Sequence, residues 1–151
     1  MIRRASLSDL ATVVHWRLRL VAELRDVSID SLGTSFRDAT HAWLDAALAS
    51  GTYFVWLAET SSEFVGVAAV APLRRPPRPE HPLGYEGYVV DMLVPEAHRR
   101  GGIGSALLSR VETDCRALGM TRLWLHTTPA GRPLYERHGF GVNEGALEKV
   151  L

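Results

Sequence analysis

The chain has 151 residues, 46% hydrophobic and 23% charged, with 17 basic residues balancing 17 acidic ones. That is enough for one domain with a substantial core, and a net charge of zero gives no general surface for nucleic acid or acidic membranes. A single cysteine excludes an internal disulfide, and no run reaches the roughly 18 apolar residues of a membrane span.

The opening Met1-Ile2-Arg3-Arg4-Ala5 lacks the apolar core of a signal peptide, so a cytoplasmic protein is expected. Residues 2–5 read as a short first strand. Ser6 or Ser8 can cap the helix that follows, whose apolar positions are Leu10, Val13, Val14, Leu18, Val21 and Leu24. Residues 26–35, polar and containing Gly33, read as a loop. A second helix is expected over 36–50, burying Phe36, Ala39, Trp43, Leu44, Ala47 and Leu48 and stopped by Gly51. Two apolar runs, 53–59 and 64–71, flank the polar turn 60–63 and predict a hairpin covered on both faces. The stretch 72–82 opens on Pro72 and adds Pro76, Pro77, Pro79 and Pro82, which excludes helix and central strand. It is either a solvated connector or a semi-rigid, arginine-bearing flap beside a ligand site.

Residues 88–119 carry the strongest signal. An apolar run from Tyr88 to Val94 breaks at Pro95 and passes to Arg99-Arg100-Gly101-Gly102-Ile103-Gly104-Ser105. Apolar residues then recur at Ile103, Leu107, Val111, Cys115 and Leu118, the period of a helix. A strand, a glycine-rich turn and a helix start together offer free backbone N–H groups, partial positive charge and close backbone approach, the requirements of a pyrophosphate cradle. Two glycines at such a turn also occur as plain punctuation. Neither G-x-G-x-x-G nor G-K-[ST] is present, which counts against a dinucleotide or nucleotide fold. Cys115 falls on the apolar helix face and reads as packing. A fifth strand is expected over 121–127, a short helix over 129–137 and a final strand from Phe140 onward. His126 faces either the core or an opening beside the fifth strand. The six histidines have no ligand-like spacing with cysteine or carboxylates, so no metal is expected.

Arg99, Gly102 and Gly104 fit Arg-x-x-Gly-x-Gly, and the segment resembles the acetyl-CoA signature of the GCN5-related N-acetyltransferase (GNAT) superfamily. Leu134, Tyr135, Gly139 and Phe140 fit that superfamily's later Leu-Tyr-x-x-x-Gly-Phe motif, in the same order and with a helix and a strand between. The resemblance implies a single domain over 1–151 with an α/β (α+β mixed-sheet) fold. Its central, mostly antiparallel sheet would have about six to seven strands flanked by about four helices. Strands four and five would splay to admit the thioester arm of acetyl-CoA. By the same resemblance the loop from Arg99 through Arg100, Gly101, Gly102, Ile103 and Gly104 to Ser105 holds the pyrophosphate. The backbone of Met92, Leu93 and Val94 would then pair with the pantetheine arm. The chain departs from the family pattern at Pro95-Glu96, where proline usually comes one place later. It has Thr128 where asparagine is common and Gly131 where alanine is common; Thr128 keeps a hydroxyl for the arm.

Moving an acetyl group from a thioester to an amine requires a neutral nitrogen, a donor for the oxyanion and a proton for the departing thiolate. The resemblance makes Tyr135 the acid. For the base it points to Glu86, as in ribosomal-protein alanine acetyltransferases; Asp91 is the other candidate. Strand alternation sets Glu86, Tyr88 and Val90 on one face and Asp91 on the other until a bulge intervenes. Either carboxylate can instead be solvated or paired with an arginine. The expected activity is acetyl-CoA-dependent N-acetylation, through a tetrahedral intermediate, of a primary amine on a small molecule or a protein N-terminus. A non-catalytic acyl-CoA sensor is the alternative. Members of the family often form homodimers, and the sequence leaves that open.

Overall fold

The computed structural model describes residues 1–151 apart from Glu144, Ala146, Leu147 and Leu151. The elements follow in the order β1 (Ile2–Arg4), α1 (Leu10–Arg25), α2 (Thr34–Ser50), β2 (Phe54–Glu59), β3 (Phe64–Arg74) and β4 (Tyr85–Leu93). Then come α3 (Ile103–Ala117), β5 (Arg122–Trp124) and α4 (Arg132–Arg137). The strands form one sheet in chain order; β1 to β4 pair antiparallel, and α3 returns the chain so that β5 lies parallel to β4. None of the described helices is long and apolar enough to cross a membrane.

The expected hairpin is the centre of the molecule because both of its faces are apolar. Val55, Leu57, Val67 and Ala69 pack beneath α1 and α2, while Trp56, Ala68 and Val70 pack against Leu107, Val111 and Cys115 of α3. At Gly66 a Cβ would stand 3.0 Å from Leu107 Cδ1, so α3 lies directly on β3. Trp56 is completely buried, and its Nε1–H donates to Asp114 Oδ2 at 2.7 Å. The cost of burying an indole N–H is thereby removed.

Several expectations change. Ser6 rather than Ser8 opens the first helical turn, its N–H donating to Asp9 Oδ2 at 2.8 Å. In α1 the core stripe is Val13, Trp16 and Leu20, whereas Leu24 is exposed. In α2 only Leu44 and Ala47 are buried, and Phe36 and Trp43 are exposed, because one helical stripe suffices to cover the strands below. Gly51 ends α2 in the left-handed region at φ +67°, as expected. Strand β3 runs through Pro72 to Arg74. Strand β2 reaches only Phe54↔Val70, so Pro72 sits on an edge, where a missing N–H is tolerated. Strand β5 covers three residues rather than 121–127. No strand forms over Phe140–Asn143, and part of the remaining stretch lies outside the described residues. The sheet therefore has five strands among the described residues, fewer than the six to seven expected, with four α-helices.

Candidate active site

The site is built where β4 and β5 part. Register pairing between them covers Glu86↔Arg122, Gly87↔Leu123 and Tyr88↔Trp124, and there it stops. Strand β4 continues to Leu93 with only β3 beside it, so its other edge offers unpaired backbone from Val89 onward. The expected splay is present. The register also slips between Ala69↔Asp91 and Val70↔Val89, which makes Val90 the extra residue of a bulge. The slip turns Asp91 back onto the α1/α2 face, the face of Glu86 and Tyr88.

Beyond Pro95 a single 3₁₀ turn, Glu96–His98, leads into the glycine loop. Arg100 (φ +66°) and Gly102 (φ +80°) both adopt left-handed backbone, which points successive N–H groups the same way before α3 begins. Ala106 N–H is the first to bond back, to Gly102 O at 2.9 Å. The N–H groups of Gly101 through Ser105 have no backbone acceptor among the described residues. An added Cβ at Gly101 or Gly102 would meet no closer atom than 3.7 Å, so the concavity is open. Free amides, a helix dipole and open space fit a diphosphate.

Arg99 does something other than expected. Its Nε–H donates to Val94 O at 2.8 Å and its Nη2 to Glu23 Oε2 of α1 at 3.2 Å. It ties the loop to the end of β4 and to α1 rather than reaching into the cradle. Arg100 is exposed and makes no ion pair among the described residues, which leaves it as the loop's available cation. Ser105 Oγ lies 2.7 Å from His138 Nε2, and His138 Nδ1 lies 3.1 Å from Glu112 Oε1. This chain of contacts fixes the end of α4 to α3 and so fixes Tyr135.

Tyr135 is half-buried, with its ring edge-on to Phe140 at 5.7 Å between centroids. Burial raises its hydroxyl above the ordinary phenol value, so it stays protonated and able to donate. Thr128 Oγ1 accepts the N–H of Gly131 at 3.2 Å, and its own O–H is left to donate. Gly131 is needed here: a Cβ would come within 2.7 Å of Thr127 Oγ1. A groove of about 1450 Å³ runs along the open edge of β5 past Tyr88, Trp124, His126, Thr127 and Tyr135. The cradle at Gly101–Ser105 lies outside this groove, at the start of α3.

Both candidate bases are ion-paired. Glu86, 4% exposed, has Oε1 3.6 Å from Arg122 Nη1 and Oε2 3.2 Å from Arg75 Nε. The second approach lacks hydrogen-bond geometry, so Oε2 remains without a bonded partner. Asp91 uses both oxygens: Arg17 Nη1 donates to Oδ1, and Tyr53 Oη donates to Oδ2 at 2.8 Å. Burial first, and then the Asp91 charge, push the Tyr53 hydroxyl far above the phenol range, so it remains a donor. The sequence left arginine pairing open for these acids but could not name Arg17, Arg75 or Arg122 as the partners.

The comparisons with known proteins agree with this geometry. Residues 18–140 match the model of the acetyltransferase (GNAT) family. No curated protein matches the chain. Among solved structures, a GCN5-related N-acetyltransferase from Ralstonia eutropha JMP134 is 30% identical. Its TM-score is 0.82 over 99% of this chain and 97% of its own. A predicted acetyltransferase from Clostridium acetobutylicum, solved with acetyl-CoA, is 23% identical, with a TM-score of 0.87 over 99% of this chain and 95% of its own. A ribosomal-protein-alanine N-acetyltransferase from Brucella melitensis biovar Abortus 2308 is 18% identical, with a TM-score of 0.73 over 100% and 98%. At under 25% identity the last two speak for the fold alone. With the splayed strands, the open amide cradle and the family match over most of its length, the chain belongs to the GNAT acetyltransferase family.

Proposed function

We propose that the chain is an acetyl-CoA-dependent N-acetyltransferase acting on a primary amine of a small molecule or a protein N-terminus. The observation that carries the reading is the fork after Tyr88↔Trp124, where β4 keeps free backbone, with a groove beside it lined by Tyr88 and Tyr135 and the amide cradle at the start of α3. In this reading Gly101–Ser105 and Arg100 take the diphosphate, and Met92, Leu93 and Val94 take the pantetheine amides in the manner of a missing strand. The Thr128 hydroxyl donates to the same arm. Backbone N–H groups beside the bulge polarise the thioester carbonyl as the amine adds to give a tetrahedral intermediate. Tyr135, kept neutral by its burial, protonates the leaving sulfur. Of the two carboxylates, Glu86 is buried between Arg75 and Arg122 with Oε2 lacking a hydrogen bond, and Asp91, bonded through both oxygens, is read as a tether from β4 to α1 and Tyr53.

Thiol release from acetyl-CoA against a panel of amines tests this. The wild type should release thiol only when a suitable amine is present. Tyr135→Phe should lower kcat by about 10²-fold or more while the acetyl-CoA KM holds. Binding of acetyl-CoA without thiol release from any amine would favour the sensor instead.

A further inference from the structure

We propose that the proton of the acceptor amine is taken by a Tyr88–His126 pair at the fork of β4 and β5, and that this pair, rather than Glu86 or Asp91, is the base of the reaction. The inference rests on the acetyltransferase reading above and deepens it.

Three observations converge on the pair. The first is position. Tyr88 belongs to the last register pair between the two strands, and His126 lies two residues past its partner Trp124, so both stand where the strands separate. Both line the groove that also holds Tyr135. The second is mutual fixation. Tyr88 Oη is 3.0 Å from His126 Nδ1, and both rings pack on Trp124, at 4.5 Å and 6.1 Å between centroids. Three aromatic rings hold one another, so the hydroxyl-to-imidazole contact is preorganised. The third is access. His126 is exposed and can discharge a proton to bulk water, whereas both carboxylates are nearly sealed and already shared with arginines. An imidazole is the side chain suited to accepting and releasing a proton near neutral pH.

The tautomer with hydrogen on Nε2 leaves the Nδ1 lone pair to accept from Tyr88. The acceptor's ammonium gives one proton to the Tyr88 oxygen as Tyr88 passes its own to Nδ1. The freed nitrogen lone pair forms the C–N bond to the thioester carbon. On collapse the C–S bond breaks with its electron pair on sulfur, and Tyr135 protonates the thiolate. The remaining excess proton on nitrogen returns through solvent to the Tyr135 phenolate, and His126 releases its proton to water. One proton leaves per turnover, as amide formation from an ammonium requires. The other ionisable groups lining the groove are Arg75 and Arg78 from the β3–β4 connection, Glu112, Cys115 and Arg116 from α3, Arg122 from β5, Arg132, Tyr135 and Glu136 from α4, and His138 and Glu148 beyond it; His138 is held between Ser105 and Glu112.

The test is kcat and kcat/KM against pH for thiol release, using the full chain and the best amine of the panel. Acetyl-CoA titration of each variant checks that it folds. His126→Gln should lower kcat by about 10²-fold with the acetyl-CoA Kd unchanged, and should abolish the wild-type rise of kcat/KM with pH. Tyr88→Phe should fall by a similar factor, and the double variant should be no worse than either single one. In His126→Gly, imidazole added to the buffer should restore activity, which a purely structural histidine would not allow. Glu86→Gln should keep the wild-type pH profile. Wild-type kcat and profile in His126→Gln, or loss of the rise in Glu86→Gln, would overturn the inference while leaving the transferase standing. A wild type that releases no thiol with any amine overturns both.

Discussion

Gly87→Ala should strain the base of the fork by crowding the side chains packed over Gly87. A Cβ at Gly87 would stand 2.6 Å from Leu123 Cδ2, 2.8 Å from Val70 Cγ1 and 3.0 Å from Met120 Sδ. The Leu123 and Met120 atoms end flexible side chains and can swing aside. Val70 is stiff at χ1 and fully buried on the neighbouring strand, so part of the strain has to be relieved by moving backbone. Overpacking of this kind costs about 1–3 kcal/mol. For a domain of this size that is roughly 2–12 °C in Tm. Gly141→Ala is the matched control, since nothing lies within 4 Å of its would-be Cβ. Its effect should stay within about 0.5 kcal/mol. Urea unfolding of both variants gives the comparison: a lower midpoint for Gly87→Ala at unchanged m, and weaker acetyl-CoA binding because the fork that would admit the thioester arm is distorted at its base. Equal midpoints for the two variants would refute the packing argument.

Two further outcomes follow from single residues. Gly102→Ala meets no steric neighbour but must hold alanine at φ +80°, a strain of about 1–3 kcal/mol, beside the free amides. Acetyl-CoA Kd should rise about tenfold or more, and unaltered affinity would move the diphosphate away from this loop. Burial pushes the Cys115 thiol up to about 12 from its ordinary 9.0, so the folded state favours the neutral form. That contribution is complete below the unfolded value and is lost as pH rises through the window between about 9 and 12. Urea midpoints should therefore fall between about pH 8 and about pH 10 more in the wild type than in Cys115→Ser, and an identical fall in both would contradict the buried thiol.

What could be read from the sequence was whatever depends on short range. The period of Ile103, Leu107, Val111, Cys115 and Leu118 marked the buried face of α3; Leu107, Val111 and Cys115 are fully enclosed and Ile103 partly buried, whereas Leu118, past the helix end, is exposed. The two continuous apolar runs between 53 and 71 and the polar turn that parts them marked the central hairpin. The glycines of 101–104 marked the cradle because left-handed backbone and close approach are properties of the residues themselves. The family motifs carried the splay and Tyr135 further than periodicity alone could. Side-chain partners were another matter. Arg99 looked like a phosphate ligand and instead holds Val94 O and Glu23. Asp91 was assigned by alternation to the far face, and one bulge residue, Val90, returned it to the near one, against Arg17 and Tyr53. Tyr88 and His126 are 38 positions apart, and no local pattern announces that they touch. A side chain's period is set by the backbone next to it, whereas its partner is set by register across strands and by where a strand stops. Those are decided only when the whole sheet is assembled.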